Sequence, residues 1–309
     1  MGGRDVGYGT ARVRALLRRL LVGAERERLR ATWRVLLAGL LVFQLTETAS
    51  VRVAGVVGSR APVVVGTVQA VVFGVLLVGW ARYVDRRPLA DYGFRSPPTW
   101  AFDLVVGVGA VLVAWTLWFG VGTALGWTTV TVSLSAPAGP VALGLAAALV
   151  AFGTNAWVQE TVFRGLVLKN AAEGLASHTF DARRAVLAAW LLTVAYFVLI
   201  HGATRPRVVV DLAVAGAVFG ALYVHTGSLA LPVGAHLGAN VVGGAVFVPS
   251  GIAGDRAAVF VVSGGVPGPE LLNTGVPKVV LGYLLLLGWV RWRHGEVGIE
   301  TAVATWTRR

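Results

Sequence analysis

Apolar runs close to the roughly 20 residues that cross a bilayer as a helix recur along this 309-residue chain, and they leave it few ways to fold. Hydrophobic residues make up 56% of the sequence and charged residues 14%. A helix satisfies its backbone hydrogen bonds within itself, as a segment in hydrocarbon must. The runs therefore predict an all-α, polytopic membrane bundle of about eight transmembrane helices. Their expected positions are 35–57, 63–80, 101–126, 141 to beyond 165, 185–201, 208–225, 229–248 and 277–292. Gly58, Pro62, Pro88, Pro97, Pro98, Pro140, Pro206 and Gly227 punctuate the joins. Residues 1–34 then form a basic cytoplasmic or interfacial segment. Residues 35–292 form the transmembrane domain, with a core at 141–248, and 293–309 a cytoplasmic tail. No soluble domain is long enough to fold alone. The Gly/Pro-rich stretch 249–276 reads as a long outer loop, either a lid or a mobile connection.

The net charge is +12. In a soluble protein such a balance points to nucleic acid. Beside membrane spans, basic residues act as topological anchors at anionic lipid, so no nucleic-acid partner is expected. With the N-terminus inside, 21 of the 27 basic residues fall in cytoplasmic segments. The expectation is a multi-pass protein of the cell membrane with both termini cytoplasmic. Near the N-terminus, Val13, Leu16, Leu17, Leu20 and Leu21 recur at helical spacing among Arg12, Arg14, Arg18 and Arg19, the pattern of an amphipathic interfacial helix. A compact apolar segment followed by a small-residue cleavage site is not evident there. Cysteine is absent, which excludes disulfides, thiolate metal sites and a cysteine nucleophile.

Ionisable groups cost about 2.5–3.5 kcal/mol each at the centre of a membrane helix on insertion scales, so they are functional candidates by default. The stretch Gln159-Glu160-Thr161-Val162-Phe163-Arg164-Gly165 puts a carboxylate and a guanidinium four residues apart on one helix face. Two further polar positions follow, Phe197 to His201 and His236 to Asn240. His236 and Asn240 lie one turn apart and present two groups to one oxygen, as an oxyanion site requires. Read structurally instead, Glu160 and Arg164 are an interfacial ion pair and His201 a helix-end histidine. Glu47 and Arg52 in the first span either pair with each other or mark its outer end. Asp103 and Asp211 read as interfacial, and His178 and His225 fall at loops. Gly216 with Gly220, and Gly234 with Gly238, bring helix backbones close together.

Taken together, the three polar segments resemble the CPBP family of intramembrane proteases, which includes the CAAX prenyl endopeptidases and bacteriocin-immunity-type membrane proteins. The family's pattern is EExxxR, FxxxH and HxxxN. This chain has Gln159-Glu160 through Arg164, Phe197 through His201, and His236 through Asn240. The stretches Arg87–Gly93 and Gly220–Leu229 are also similar, so the likeness covers about residues 80–245. It implies an eight-helix fold and peptide-bond hydrolysis within the membrane. The family's first Glu and first His activate water, and its second His and Asn stabilise the oxyanion. Carried over, His201 is the water partner, His236 and Asn240 are the oxyanion pair, and Glu160 and Arg164 support the motif. The departure is Gln159, where the family has its first Glu, because a neutral amide cannot accept a proton from water. Either Glu160 takes that role or the chain is a pseudoprotease that binds partners on the same fold.

The resemblance implies no cofactor. A zinc site of Glu160, His201 and His236 is the lesser alternative. The expected partner is a membrane-associated protein or peptide, prenylated or not. A transporter using Glu160, Asp211 and the histidines as a proton relay is the third alternative, and the chain shows none of the internal repeats typical of transporters. One tension remains at this level. Glu160 reads as near the inner end of its span and His201 as near the outer end of the next, roughly 25 Å from Arg184 at 1.5 Å per residue. It is relieved if the fourth span continues past Lys169 and Glu173, or if the fifth starts inside the membrane.

Overall fold

The computed structural model describes every residue except 1–4, 24–27, 58–60, 96, 137, 138, 178, 179, 308 and 309. Gly58 and His178 lie outside the described residues. The amphipathic helix α1 runs Asp5–Leu21. Six helices are long and apolar enough to cross a membrane. They are α2 (Ala31–Val57), α3 (Pro62–Val84), α4 (Pro98–Ala124), α5 (Val141–Ala176), α6 (Ala182–Ile200) and α7 (Pro206–Thr226). The other two expected spans are helical but fall short of that test. α8 (Ala230–Val246) is short, and the 19 residues of α9 (Val276–His294) include Lys278, Arg291 and Arg293.

The all-α expectation needs one amendment, a small three-stranded sheet. Its strands are β1 (Thr128–Ser135), β2 (Phe247–Pro249) and β3 (Ala258–Gly264), in the order β1-β3-β2. β1 runs antiparallel to β3, with Thr128 opposite Gly264, and β2 runs parallel to β3. The β1 sequence alternates threonine and serine with valine and leucine, a strand signal that the surrounding helical runs mask. The stretch expected as a long loop, 249–276, contains a strand and two 3-10 turns.

Small residues set the helix spacing. A side chain at Gly234 would run into the Leu104 carbonyl oxygen, and one at Gly107 would come within 2.9 Å of the Ala235 nitrogen. α4 and α8 therefore meet backbone to backbone. Gly216 and Gly220 leave room for Phe197 and Trp190 of α6. Both glycine pairs serve packing, as small residues at this spacing do between membrane helices.

α5 organises the bundle. It is 36 residues long, and just past its middle the eight residues Thr161–Leu168 are wound as a π-helix and are all buried. Lys169, Asn170 and Glu173 follow, also buried. They belong to an ionic network that joins four distant parts of the chain. Asp85 accepts from the Tyr92 hydroxyl at 2.7 Å and from Asn170 Nδ2 at 3.1 Å, and it pairs with Arg34 at 3.3 Å. Arg87 pairs with Glu173 at 2.6 Å and Asp91 at 2.9 Å. Arg28 reaches Glu173 at 3.0 Å. Lys169 donates to the Thr305 carbonyl at 3.0 Å, and Trp306 Nε1 donates to the Asp85 carbonyl at 3.1 Å. Burial, then the neighbouring Arg34, push the Arg28 guanidinium down to about 10 against the pull of Glu173. Burial would also lower Arg87, but Glu173 and Asp85 outweigh it and hold Arg87 above its ordinary value. Burial and Asp85 raise the Tyr92 phenol.

Candidate active site

At the centre of the bundle three helices contribute to one carboxylate. Glu160, fully buried on α5, accepts through Oε1 from Arg164 Nη1 at 3.1 Å and meets His236 Nδ1 of α8 at 2.7 Å. Arg164, also buried, donates from Nη2 to the Gly216 carbonyl of α7 at 2.8 Å. The guanidinium thus spans α5 and α7 while holding the carboxylate that holds α8. With a carboxylate oxygen as acceptor, His236 Nδ1 is the donor of this bond, and Nε2 bonds to no other described residue. The His236 ring stacks on Phe219, with centroids 4.9 Å apart and planes inclined by 14°. The packing fixes the ring plane and the carboxylate fixes its rotation.

His201 approaches through aromatic contacts. It caps the C-terminus of α6, where its Nδ1 lies 2.6 Å from the Phe197 carbonyl oxygen. A carbonyl accepts only, so this ring too leaves Nε2 free. The His201 ring lies 4.4 Å from Phe197 and stacks on Phe163 at 6.5 Å. The Arg164 guanidinium sits 5.2 Å from the Phe197 ring and 6.0 Å from the Phe163 and Phe219 rings. One histidine therefore lies on the Phe197 side of Arg164 and the other on the Phe219 side. His201 is exposed, His236 is buried, and Asn240, one turn beyond His236, is half-buried. The length of α5 removes the expected difference in depth. Because this helix continues to Ala176 before the chain turns into α6, Phe163 and His201 end level with each other. Lys169 and Glu173 mark the lower, charged part of the helix.

Gln159 is 8% exposed and donates from Nε2 to Asn155 Oδ1 at 3.2 Å. Its Oε1 is buried without a partner among the described residues. The same holds for Glu160 Oε2, Thr161 Oγ1 and Arg164 Nε. Buried polar atoms without partners are rare and call for an explanation. Four such atoms fall within six residues of α5. Among the described residues no three His, Cys, Asp or Glu side chains are grouped to hold a metal ion. Glu160 and His236 meet, whereas His201 reaches the cluster through Phe163 and Phe197.

The polar network at the lower end of α5 was not singled out in the sequence as a site. Its partners lie 57 to 145 positions apart for Arg28 alone, beyond any local pattern. Glu47 pairs with Gln69 of α3, whose Nε2 donates at 2.8 Å, and not with Arg52. Asp103 accepts from Trp289 Nε1 at 3.1 Å. His225 bridges the Gly298 carbonyl and the Tyr283 hydroxyl.

Residues 140–242, a third of the chain, match the profile of a protein family described as type II CAAX prenyl endopeptidase, Rce1-like. The match covers all three polar segments. No curated protein and no solved structure matches the chain.

Proposed function

We propose that this chain, whose residues 140–242 match the Rce1-like profile of type II CAAX prenyl endopeptidases, is an intramembrane endopeptidase. It hydrolyses a peptide bond in a membrane-associated protein, of the prenylated CAAX type, at the cell membrane, with both termini cytoplasmic. The observation that carries this reading is the Glu160 carboxylate held between Arg164 and His236 at 3.1 and 2.7 Å inside an apolar bundle.

The chemistry follows from the free Nε2 of His236. A water hydrogen-bonded there loses its proton to the imidazole as its oxygen bonds to the scissile carbonyl carbon. Glu160 stabilises the imidazolium, as a buried carboxylate does for the histidine of a hydrolase triad. Such a positioned base contributes about 10²–10⁴-fold. Asn240, on the same face of α8, donates to the oxyanion. His201 borders the water from the exposed side. In this arrangement the carboxylate is the second residue of the motif, acting through His236, and Gln159 need not accept a proton from water. Family roles for His201 and His236 are thereby exchanged in part. The competing reading, a pseudoprotease that binds without turnover, draws on the same amide at Gln159.

The test is cleavage of a fluorogenic isoprenylated peptide by the purified protein, with and without chelator. Wild type is expected to cleave in both conditions, and Glu160→Ala, His236→Ala and His201→Ala to lose at least about 10²-fold in kcat. Peptide binding without cleavage, with turnover gained in Gln159→Glu, establishes the pseudoprotease. Loss of activity on chelation alone brings a metal into the site.

A further inference from the structure

Between α4 and α9 runs a groove of about 670 Å³. It lies on a different face of α4 from the one that packs on α8. Gly107, Val108 and Val111 approach Ala235 and Gly238 of α8. Val106, Gly109 and Val113 line the groove instead, with Leu285, Gly288 and Trp292 of α9. Two glycines give it depth, since a side chain added at Gly109 or Gly288 would meet open space. The helices are joined close by. Gly282 lies against Val111 and Ala114, and Trp289 donates to Asp103 at 3.1 Å and packs on Phe102 at 5.4 Å. Val113, Leu285 and Trp292 are exposed, so the groove opens outward from the bundle, toward lipid.

The C-terminal end of α9 says what fits there. The groove lining carries no charged side chain, which suits a hydrocarbon chain. Trp289 and Trp292 pack together at 4.8 Å, and tryptophan collects at the level of lipid headgroups. Arg291, Arg293 and His294 share that last turn. Arg293 lies one turn beyond Trp289 and so continues the stripe of the groove. Arg291 and Arg293 are exposed, and neither pairs with an acid among the described residues. An apolar furrow that ends in unpaired guanidinium groups complements an acyl chain joined to a phosphate. Basic pockets between membrane helices take anionic lipid headgroups, and the guanidinium fork matches phosphate oxygens.

We propose that the α4–α9 groove seats one anionic phospholipid, with an acyl chain along Gly109 and Gly288 and the phosphate at Arg291 and Arg293. The seat is independent of the peptidase reading, because none of the groups around Glu160 lines it. A zwitterionic lipid offers the same hydrocarbon, but its ammonium opposes the two guanidinium groups. Headgroup charge therefore sets the preference, and the groove sets where the chain goes.

The test uses the purified full-length protein, stripped of lipid in detergent and offered palmitoyl-oleoyl phosphatidylglycerol or the matching phosphatidylcholine. Bound lipid is read by native mass spectrometry beside a thermal melt. Wild type is expected to hold one phosphatidylglycerol at least about tenfold more tightly than phosphatidylcholine, and to melt higher with it. Gly109→Leu with Gly288→Leu fills the groove and is expected to abolish both effects. Arg291→Gln with Arg293→Gln is expected to bring phosphatidylglycerol down to the level of phosphatidylcholine, and it tests the seat even if the leucines disturb the helices. Equal binding of the two lipids by wild type means a nonspecific lipid shell and overturns the proposal. So does undiminished phosphatidylglycerol binding in the arginine variant. Displacement of the lipid by an isoprenylated peptide whose own binding ignores the arginine substitutions assigns the groove to that chain and overturns the proposal as well.

Discussion

Glu160 and Gln159 are neighbours in sequence with opposite environments, and the difference decides the chemistry. Among the described residues Glu160 has Arg164 and His236 as partners, whereas Gln159 has only Asn155. Removing one partner of a buried ion pair costs about 3–5 kcal/mol because the other charge is left stranded. Arg164 is more than a counter-charge, since its planar fork reaches Glu160 and the Gly216 carbonyl at once. An ammonium on a flexible stem cannot reproduce that geometry. Arg164→Lys is therefore expected to keep the fold and lower kcat on the peptide about 10²-fold, checked by steady-state kinetics beside a thermal melt. The candidate residues were all legible in the sequence, because a polar group in an apolar run is conspicuous. Their pairing was not. HxxxN and FxxxH look alike as patterns, and only the packing of α8 against α5 makes His236 the partner of Glu160.

Helical elements meet at the site with unusual windings. π segments occur at Ala38–Phe43 of α2, Thr161–Leu168 of α5 and Val242–Val246 of α8. Such segments often mark functional sites, since the wider turn re-aims side chains. Here Phe43 and Phe163 meet where two of them touch. Between α4 and α8, glycine decides how close two elements come. Gly234→Ala is expected to destabilise by at least about 1–3 kcal/mol, because a methyl cannot fit against the Leu104 carbonyl. Gly109→Ala, two residues beyond Gly107 and on another face of α4, meets open space and is expected to stabilise by about 0.5–1 kcal/mol. Denaturation in detergent micelles of the two variants compares them directly. The eight helical spans were evident from length and apolarity alone, and the small sheet was not. Its pairing of β1 with β3 joins residues more than 120 positions apart.

For the molecule as a whole, one end of the bundle is tied by the network around Asp85, Arg87 and Glu173, and the tail closes over it through Lys169 and Trp306. Arg87→Met leaves Glu173 and Asp85 without a major partner and is expected to cost about 3–5 kcal/mol, read as a loss of thermal stability in detergent. Orientation in the membrane has a direct measurement because the chain contains no cysteine. Ser135→Cys, exposed at the end of β1, is expected to react with an impermeant thiol reagent from outside intact cells. Ser177→Cys, exposed after α5, is expected to react only once the membrane is opened. Local physics, read from the sequence alone, determined the helical spans, since span length and backbone satisfaction depend only on neighbouring residues. It also determined which polar groups stand out in them. The tertiary structure decided what those groups do. Ion pairs and helix registers are set by residues far apart in the chain, and the long α5 alone brings Phe163 level with His201 and Glu160 against His236.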